Sequence, residues 1–128
     1  MLMPDRRKLV AIIDDELTML KAMERLLNAR GFATRVFASA EAFLEDDARN
    51  EVSCLVLDIH LGGMSGLDLQ RRLKESGSQL PIIFVTAIDN EAVHQQAMDA
   101  GCVAYLRKPF LAHLLIGAIE KATGRQNH

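Results

Sequence analysis

The sequence contains no apolar stretch approaching the length of a membrane span, which excludes a helical transmembrane protein. It has no surplus of basic residues either: 15 lysines and arginines stand against 17 aspartates and glutamates, a formal net charge of −2. That balance argues against a domain whose own residues hold a nucleic-acid backbone. There are two cysteines, Cys54 and Cys102, with no metal-type spacing to histidine. Both lie beside apolar runs, where buried free thiols and a reducing cytoplasm are the expected setting. The basic start, Arg6-Arg7-Lys8, is followed by no long apolar region, because Asp14, Asp15 and Glu16 interrupt it; no signal peptide is expected. No repeat, linker or low-complexity segment divides the chain, and 128 residues make one domain with a core but hardly two.

What the sequence has is apolar residues, 49% of the total, arranged as short runs bounded by turn residues. Such runs read as buried strands. Strands are expected at 8–13, 34–37, 53–57, 82–85 and 103–106. A helix follows each. The first, 17–29, carries Leu20, Met23, Leu26 and Leu27 at helical spacing and stops at Gly31. Ser39 caps a helix through Leu44, and 46–51 is read as a loop. Ser65 caps a helix with Leu67, Leu69 and Leu73; Asp89 or Asn90 caps one with Val93 and Ala97. Leu111, Leu114, Leu115, Ala118 and Ile119 mark the last. Five strand–helix units in alternation imply an α/β fold, a doubly wound parallel sheet with helices on both faces. The domain is expected over 8–123, with tails at 1–7 and 124–128.

Four strand ends carry chemistry. Asp14 and Asp15 follow the first strand, Asp58 the third, Thr86 the fourth and Lys108 the fifth. Open parallel sheets gather their functional groups at the carboxyl ends of the strands, so these residues are expected to converge on one site. Asp58 stands at the centre, between the apolar run Cys54-Leu55-Val56-Leu57 and the glycine-bearing stretch Gly62-Gly63-Met64-Ser65-Gly66.

In that order, Asp14-Asp15, Asp58, Thr86-Ala87 and Lys108-Pro109 make a pattern that resembles the receiver domain of bacterial two-component response regulators. The likeness runs from Leu9 to about Thr123 and looks nearest to receivers that precede helix-turn-helix output domains. It implies the flavodoxin-like sheet order 2-1-3-4-5. It further implies that Asp58 accepts a phosphoryl group from a sensor histidine kinase, with Mg²⁺ required. The ligand set so implied is Asp15 and Asp58 directly, Asp14 through a water, and the backbone carbonyl of His60. Lys108 would hold a phosphoryl oxygen; the Thr86 hydroxyl and Ala87 amide would bond others. Thr86 and Tyr105 would form the switch that alters helix 4, strand 5 and helix 5, the face for a homodimer or output partner. The protein would act as a signalling domain, not as an enzyme turning over a metabolite.

Plainer readings stand beside these. Asp14-Asp15 alone would be helix-capping acids, Thr86 a turn residue, Lys108 a surface lysine and Tyr105 a core aromatic. His94 and His113 read as helix-surface residues, and Gly66 as a position of close packing or of a turn near the next helix. Gly62 stands where many relatives carry proline, which predicts a more mobile loop beside Asp58. Leu111 stands where many carry a polar cap; with Leu114 and Ala118 it makes a second apolar stripe, either buried or a partner surface. Lys108-Pro109 is expected to be cis, as in many relatives. A haloacid-dehalogenase-type phosphatase would want an acid two residues after Asp58, where His60 stands. A phosphorylation-independent receiver would have lost some of the acids or the lysine, and a Cys54–Cys102 disulfide is opposed by the strand expected between them.

Overall fold

Five apolar segments form the strands β1 (Leu9–Ile13), β2 (Ala33–Phe37), β3 (Cys54–Leu57), β4 (Ile82–Thr86) and β5 (Ala104–Arg107). Helices α1 (Leu17–Ala29), α2 (Ala40–Leu44), α3 (Gly66–Glu75), α4 (Glu91–Asp99) and α5 (Ala112–Thr123) follow them in turn. The computed structural model describes residues 7–124. The expected tails therefore fall, apart from Arg7 and Gly124, outside the described residues. Gly124 itself closes α5 in a left-handed conformation, φ 71°.

All strand pairs are parallel and the order is β2-β1-β3-β4-β5. Alternate residues of each strand face opposite sides of the sheet. Val10 and Ile12 of β1, Cys54 and Val56 of β3, and Ile83 and Val85 of β4 pack with Leu20, Met23, Leu27, Leu115 and Ile119 of α1 and α5. Ala11 and Ile13, Leu55 and Leu57, and Ile82 and Phe84 pack with Phe43, Leu69 and Ala97 of α2, α3 and α4. Because both faces are covered, the central strands are apolar throughout rather than alternating. Burial on both sides is also what makes Cys54 inert: its thiol is pushed up to about 12 by desolvation. Both cysteines are free, and β4 lies between their strands.

Helix starts follow the expected caps in three cases. The Ser39 hydroxyl accepts from the Ala42 amide, Ser65 and Asp68 form a reciprocal capping box, and the Asn90 side chain accepts from the Val93 amide. Asn90, not Asp89, is thus the α4 cap. Leu111 is the N-cap residue of α5 and offers no side-chain bond. The 46–51 loop contains a short 3₁₀ turn, Arg49–Glu51. β5 lies one residue later than expected, because Arg107 still pairs with Thr86 at the end of β4.

Candidate functional site

The candidate site residues hang from the last rungs of the sheet. The Asp14 amide donates to Phe37 O at 3.1 Å, the Asp58 amide to Ile13 O at 3.0 Å, and the Lys108 amide to Thr86 O at 2.8 Å. Each side chain therefore starts from backbone held by the neighbouring strand. Gly66 fixes the far end of the loop after Asp58: its amide donates to Ile59 O at 2.9 Å. A Cβ there would run into Asp58 O and lie 2.8 Å from Ile59 Cα, so only glycine lets α3 begin so close to the strand end.

Asp14, Asp58 and Lys108 meet. Lys108 Nζ lies 2.7 Å from Asp14 Oδ2 and 3.1 Å from Asp58 Oδ2, with Glu16 Oε1 at 3.9 Å. Asp14 is fully buried and Asp58 nearly so, whereas Asp15 is exposed. The second oxygens are also engaged: Asp14 Oδ1 accepts from the Glu16 amide at 2.9 Å, and Asp58 Oδ1 from the His60 amide at 3.1 Å. Burial raises the Asp14 carboxyl above its usual range, even against the hydrogen bonds from Lys108 and the Glu16 amide. Burial pulls the Lys108 ammonium down, but its bonds to Asp14 and Asp58 outweigh that and hold it above the ordinary lysine value.

Asp14, Asp15 and Asp58 each present a carboxylate oxygen, all within 4.8 Å of one another. Three acids against one close lysine leave an excess of negative charge at a largely buried point. A hard cation taking oxygen ligands fits that donor set. Asp15 and Asp58 open into a cleft of about 260 Å³ that Glu16, His60, Ala87, Ile88 and Lys108 also line, with Asp14 buried behind it. Thr86 is fully buried, and its hydroxyl accepts from the Ile88 amide at 3.2 Å, inside its own turn. It makes no bond to the acids in this state.

Tyr105 lies on β5 away from the acids. Its ring stacks on His94 of α4, centroids 4.4 Å apart and 21° from parallel, and lies 6.3 Å from the Phe84 ring. Its hydroxyl is buried and finds no hydrogen-bond partner among the described residues. His94 is half-buried, not the surface histidine expected from its place in the helix; His113 is exposed. Leu111 and Leu114 are 63% and 47% exposed, so the stripe they begin on α5 is not the buried one. Lys108-Pro109 is cis. Two partners of site-flanking residues had no sequence signal: His94, and Glu41, whose carboxylate accepts from the Met64 amide at 3.0 Å. No described helix is long and apolar enough to cross a membrane.

The comparisons with known proteins agree with this arrangement. The model of the response regulator receiver domain matches residues 10–120. The chain is 41% identical over 120 residues to the response regulator protein TodT of Pseudomonas putida, covering 94% of this chain and 53% of that protein. It is 39% identical over 116 residues to the transcriptional regulatory protein FixJ of Rhizobium meliloti, covering 89% and 56%. Among solved structures, FixJ-N is similar with a TM-score of 0.82 and 34% identity, covering 96% of this chain and 98% of that one. The chain thus spans about half the length of the curated relatives it matches and nearly the whole of a solved receiver. With the 2-1-3-4-5 sheet and the acids and lysine at its strand ends, it belongs to the response regulator receiver domain family.

Proposed function

We propose that this domain is switched by phosphorylation of Asp58, with a sensor histidine kinase as donor and Mg²⁺ as the required cation. The observation that carries the reading is Lys108 Nζ between the Asp14 and Asp58 carboxylates, with an oxygen of Asp15 within 4.8 Å of both acids. Asp14 (through a water), Asp15, Asp58 and the His60 carbonyl would hold the cation. When bound it supplies charge neutralisation for a reaction that brings carboxylate and phosphoryl oxygens together.

The chain's own residues do the rest. An Asp58 oxygen forms the new P–O bond as the bond from phosphorus to the donor's nitrogen breaks; that electron pair leaves with the imidazole. Lys108 is already within bonding distance of Asp58 and needs little movement to hold a transferred oxygen. The Ala87 amide and Thr86 hydroxyl would donate to other oxygens, much as donors serve an oxyanion. To do so, Thr86 must leave the Ile88 amide. Its departure frees space on the β4–β5 side, where Tyr105 sits with an unsatisfied buried hydroxyl, a cost of about 1–3 kcal/mol that a second position of the ring would relieve. Phosphorylation would then shift a balance between two ring positions.

The output surface is α4, β5 and α5. A groove of about 390 Å³ runs there between His94, Tyr105, Phe110, Leu111 and Leu114, and its exposed leucines suit a second copy or an output partner. The chain covers 53% and 56% of two longer relatives, one of them named a transcriptional regulatory protein, which supports a receiver role beside an output segment. That output is proposed to be a helix-turn-helix domain acting in the cytoplasm. Incubation with acetyl phosphate tests the reading: intact mass should rise by one phosphoryl group with Mg²⁺. Chelator and Asp58→Asn should each abolish the gain. Uptake that persists in Asp58→Asn would overturn the assignment.

A further inference from the structure

The loop between β3 and α3 carries Asp58 at one end, and two of its middle residues are glycines. Its ends are secured by the Gly66–Ile59 backbone bond and by the Ser65–Asp68 capping box. Between them, Gly62 is exposed and a Cβ on it would meet nothing within 4 Å; Gly63 is left-handed, φ 81°. Adjacent glycines lose the most conformational entropy on ordering, so this loop should be loose. Its glycine stretch is reached by a side chain from α2: Glu41 Oε2 accepts from the Met64 amide at 3.0 Å. A Cβ on Gly63 would lie 2.6 Å from that same oxygen. The bare glycine is what gives the carboxylate room to arrive.

The Glu41 side chain is exposed, but its backbone is held in place. It sits in the first turn of α2, whose N-terminus is capped by Ser39 and whose Ala40 and Phe43 are buried. The Phe43 ring meets Phe37 of β2 edge-on, centroids 5.5 Å apart. The Met64 amide, with a backbone contribution from Glu41 itself, holds the Glu41 carboxyl below its usual range, as a charge-accepting bond should.

We propose that Glu41 is a positioning residue for the phosphoacceptor loop, holding Gly62-Gly63-Met64 in place from α2 and supplying the stiffness that a proline at position 62 would otherwise give. The inference rests on Asp58 as phosphoacceptor, and its test has one readout that does not. Hydrogen exchange of the Met64 amide is measured beside the rate of phosphoryl uptake from acetyl phosphate in wild type, Glu41→Ala, Glu41→Gln, Gly62→Pro and Glu41→Ala/Gly62→Pro. Glu41→Ala should speed Met64 exchange and slow uptake, each severalfold. Glu41→Gln keeps an acceptor oxygen and should stay near wild type. Gly62→Pro should recover uptake in the Glu41→Ala background while changing the wild type little, a non-additivity expected of two devices with one task. Unchanged exchange in Glu41→Ala overturns the proposal, as does faster exchange with unchanged uptake. Loss in Glu41→Gln equal to that in Glu41→Ala overturns it too. If the wild type takes up no phosphoryl group, the phosphoacceptor reading fails on its own, and Met64 exchange still reports whether Glu41 holds the loop.

Discussion

Lys108 Nζ bridges Asp14 and Asp58, residues 94 and 50 positions away in the chain, at 2.7 and 3.1 Å. One ammonium thereby offsets two carboxylates that the sheet forces together. Removing it leaves two largely buried negative charges uncompensated. Lys108→Ala should destabilise the metal-free domain by about 2 kcal/mol, below the full cost of breaking a buried pair because the cleft admits water. Mg²⁺ should return most of that loss, since a divalent cation bound to the folded state neutralises the same acids. Urea midpoints with and without Mg²⁺ check this. An Mg²⁺-independent deficit would mean that Lys108 acts through packing.

Gly62 in the loop and Gly66 at the start of α3 should respond oppositely to substitution. Gly66→Ala drives a Cβ into Asp58 O and toward Ile59 Cα, and should cost about 2 kcal/mol while slowing uptake at Asp58. Gly62→Ala meets open space and is not left-handed, so it should be neutral or stabilising by about 0.5 kcal/mol. Denaturation midpoints of the two variants decide it; equal effects would contradict the close approach at Gly66.

Alkaline pH should unfold the domain progressively. The Cys54 thiol is raised by burial from 9.0 to about 12. Its neutral form is favoured by the fold, so that contribution is complete below pH 9 and is lost as pH rises toward 12. Burial raises Cys102 and Tyr105 as well, and the Asp14 and Asp58 bonds raise Lys108, so all act in the same direction. The limiting slope is about 1.4 kcal/mol per pH unit for each group. Urea midpoints between pH 8 and 11 should fall, and fall less steeply in Cys54→Ala.

Tyr105 can be watched directly, because the chain has one tyrosine and no tryptophan. Its stack on His94 predicts brighter emission in His94→Ala. If the ring takes a second position when Asp58 is modified, emission should change on phosphorylation, and the change should vanish in Asp58→Asn. Constant emission in a fully phosphorylated sample would remove Tyr105 from the switch.

Much of this was legible in the chain because strand ends are marked twice, by an apolar run and by the polar residue that stops it. Asp14, Asp58 and Lys108 each continue a sheet hydrogen bond one residue beyond a strand, so locating the strands located the site. The site's finer contacts were not legible. Glu41 and Met64 are 23 residues apart, and their bond follows from where α2 ends up, not from any local pattern. The same holds for His94 on Tyr105, which helical spacing alone left on the surface. The loop expected to be mobile from Gly62-Gly63 has an anchor that arrives from another element.

Asp58, one of three neighbouring acids, is the proposed phosphoacceptor. Borohydride reduction of an acyl phosphate converts the modified aspartate to homoserine and so marks the residue itself. The domain would be treated with acetyl phosphate and Mg²⁺, reduced, digested and read by peptide mass. Homoserine is expected at position 58 alone. Homoserine at position 14 or 15, or none after a treatment that labels another receiver, would contradict it.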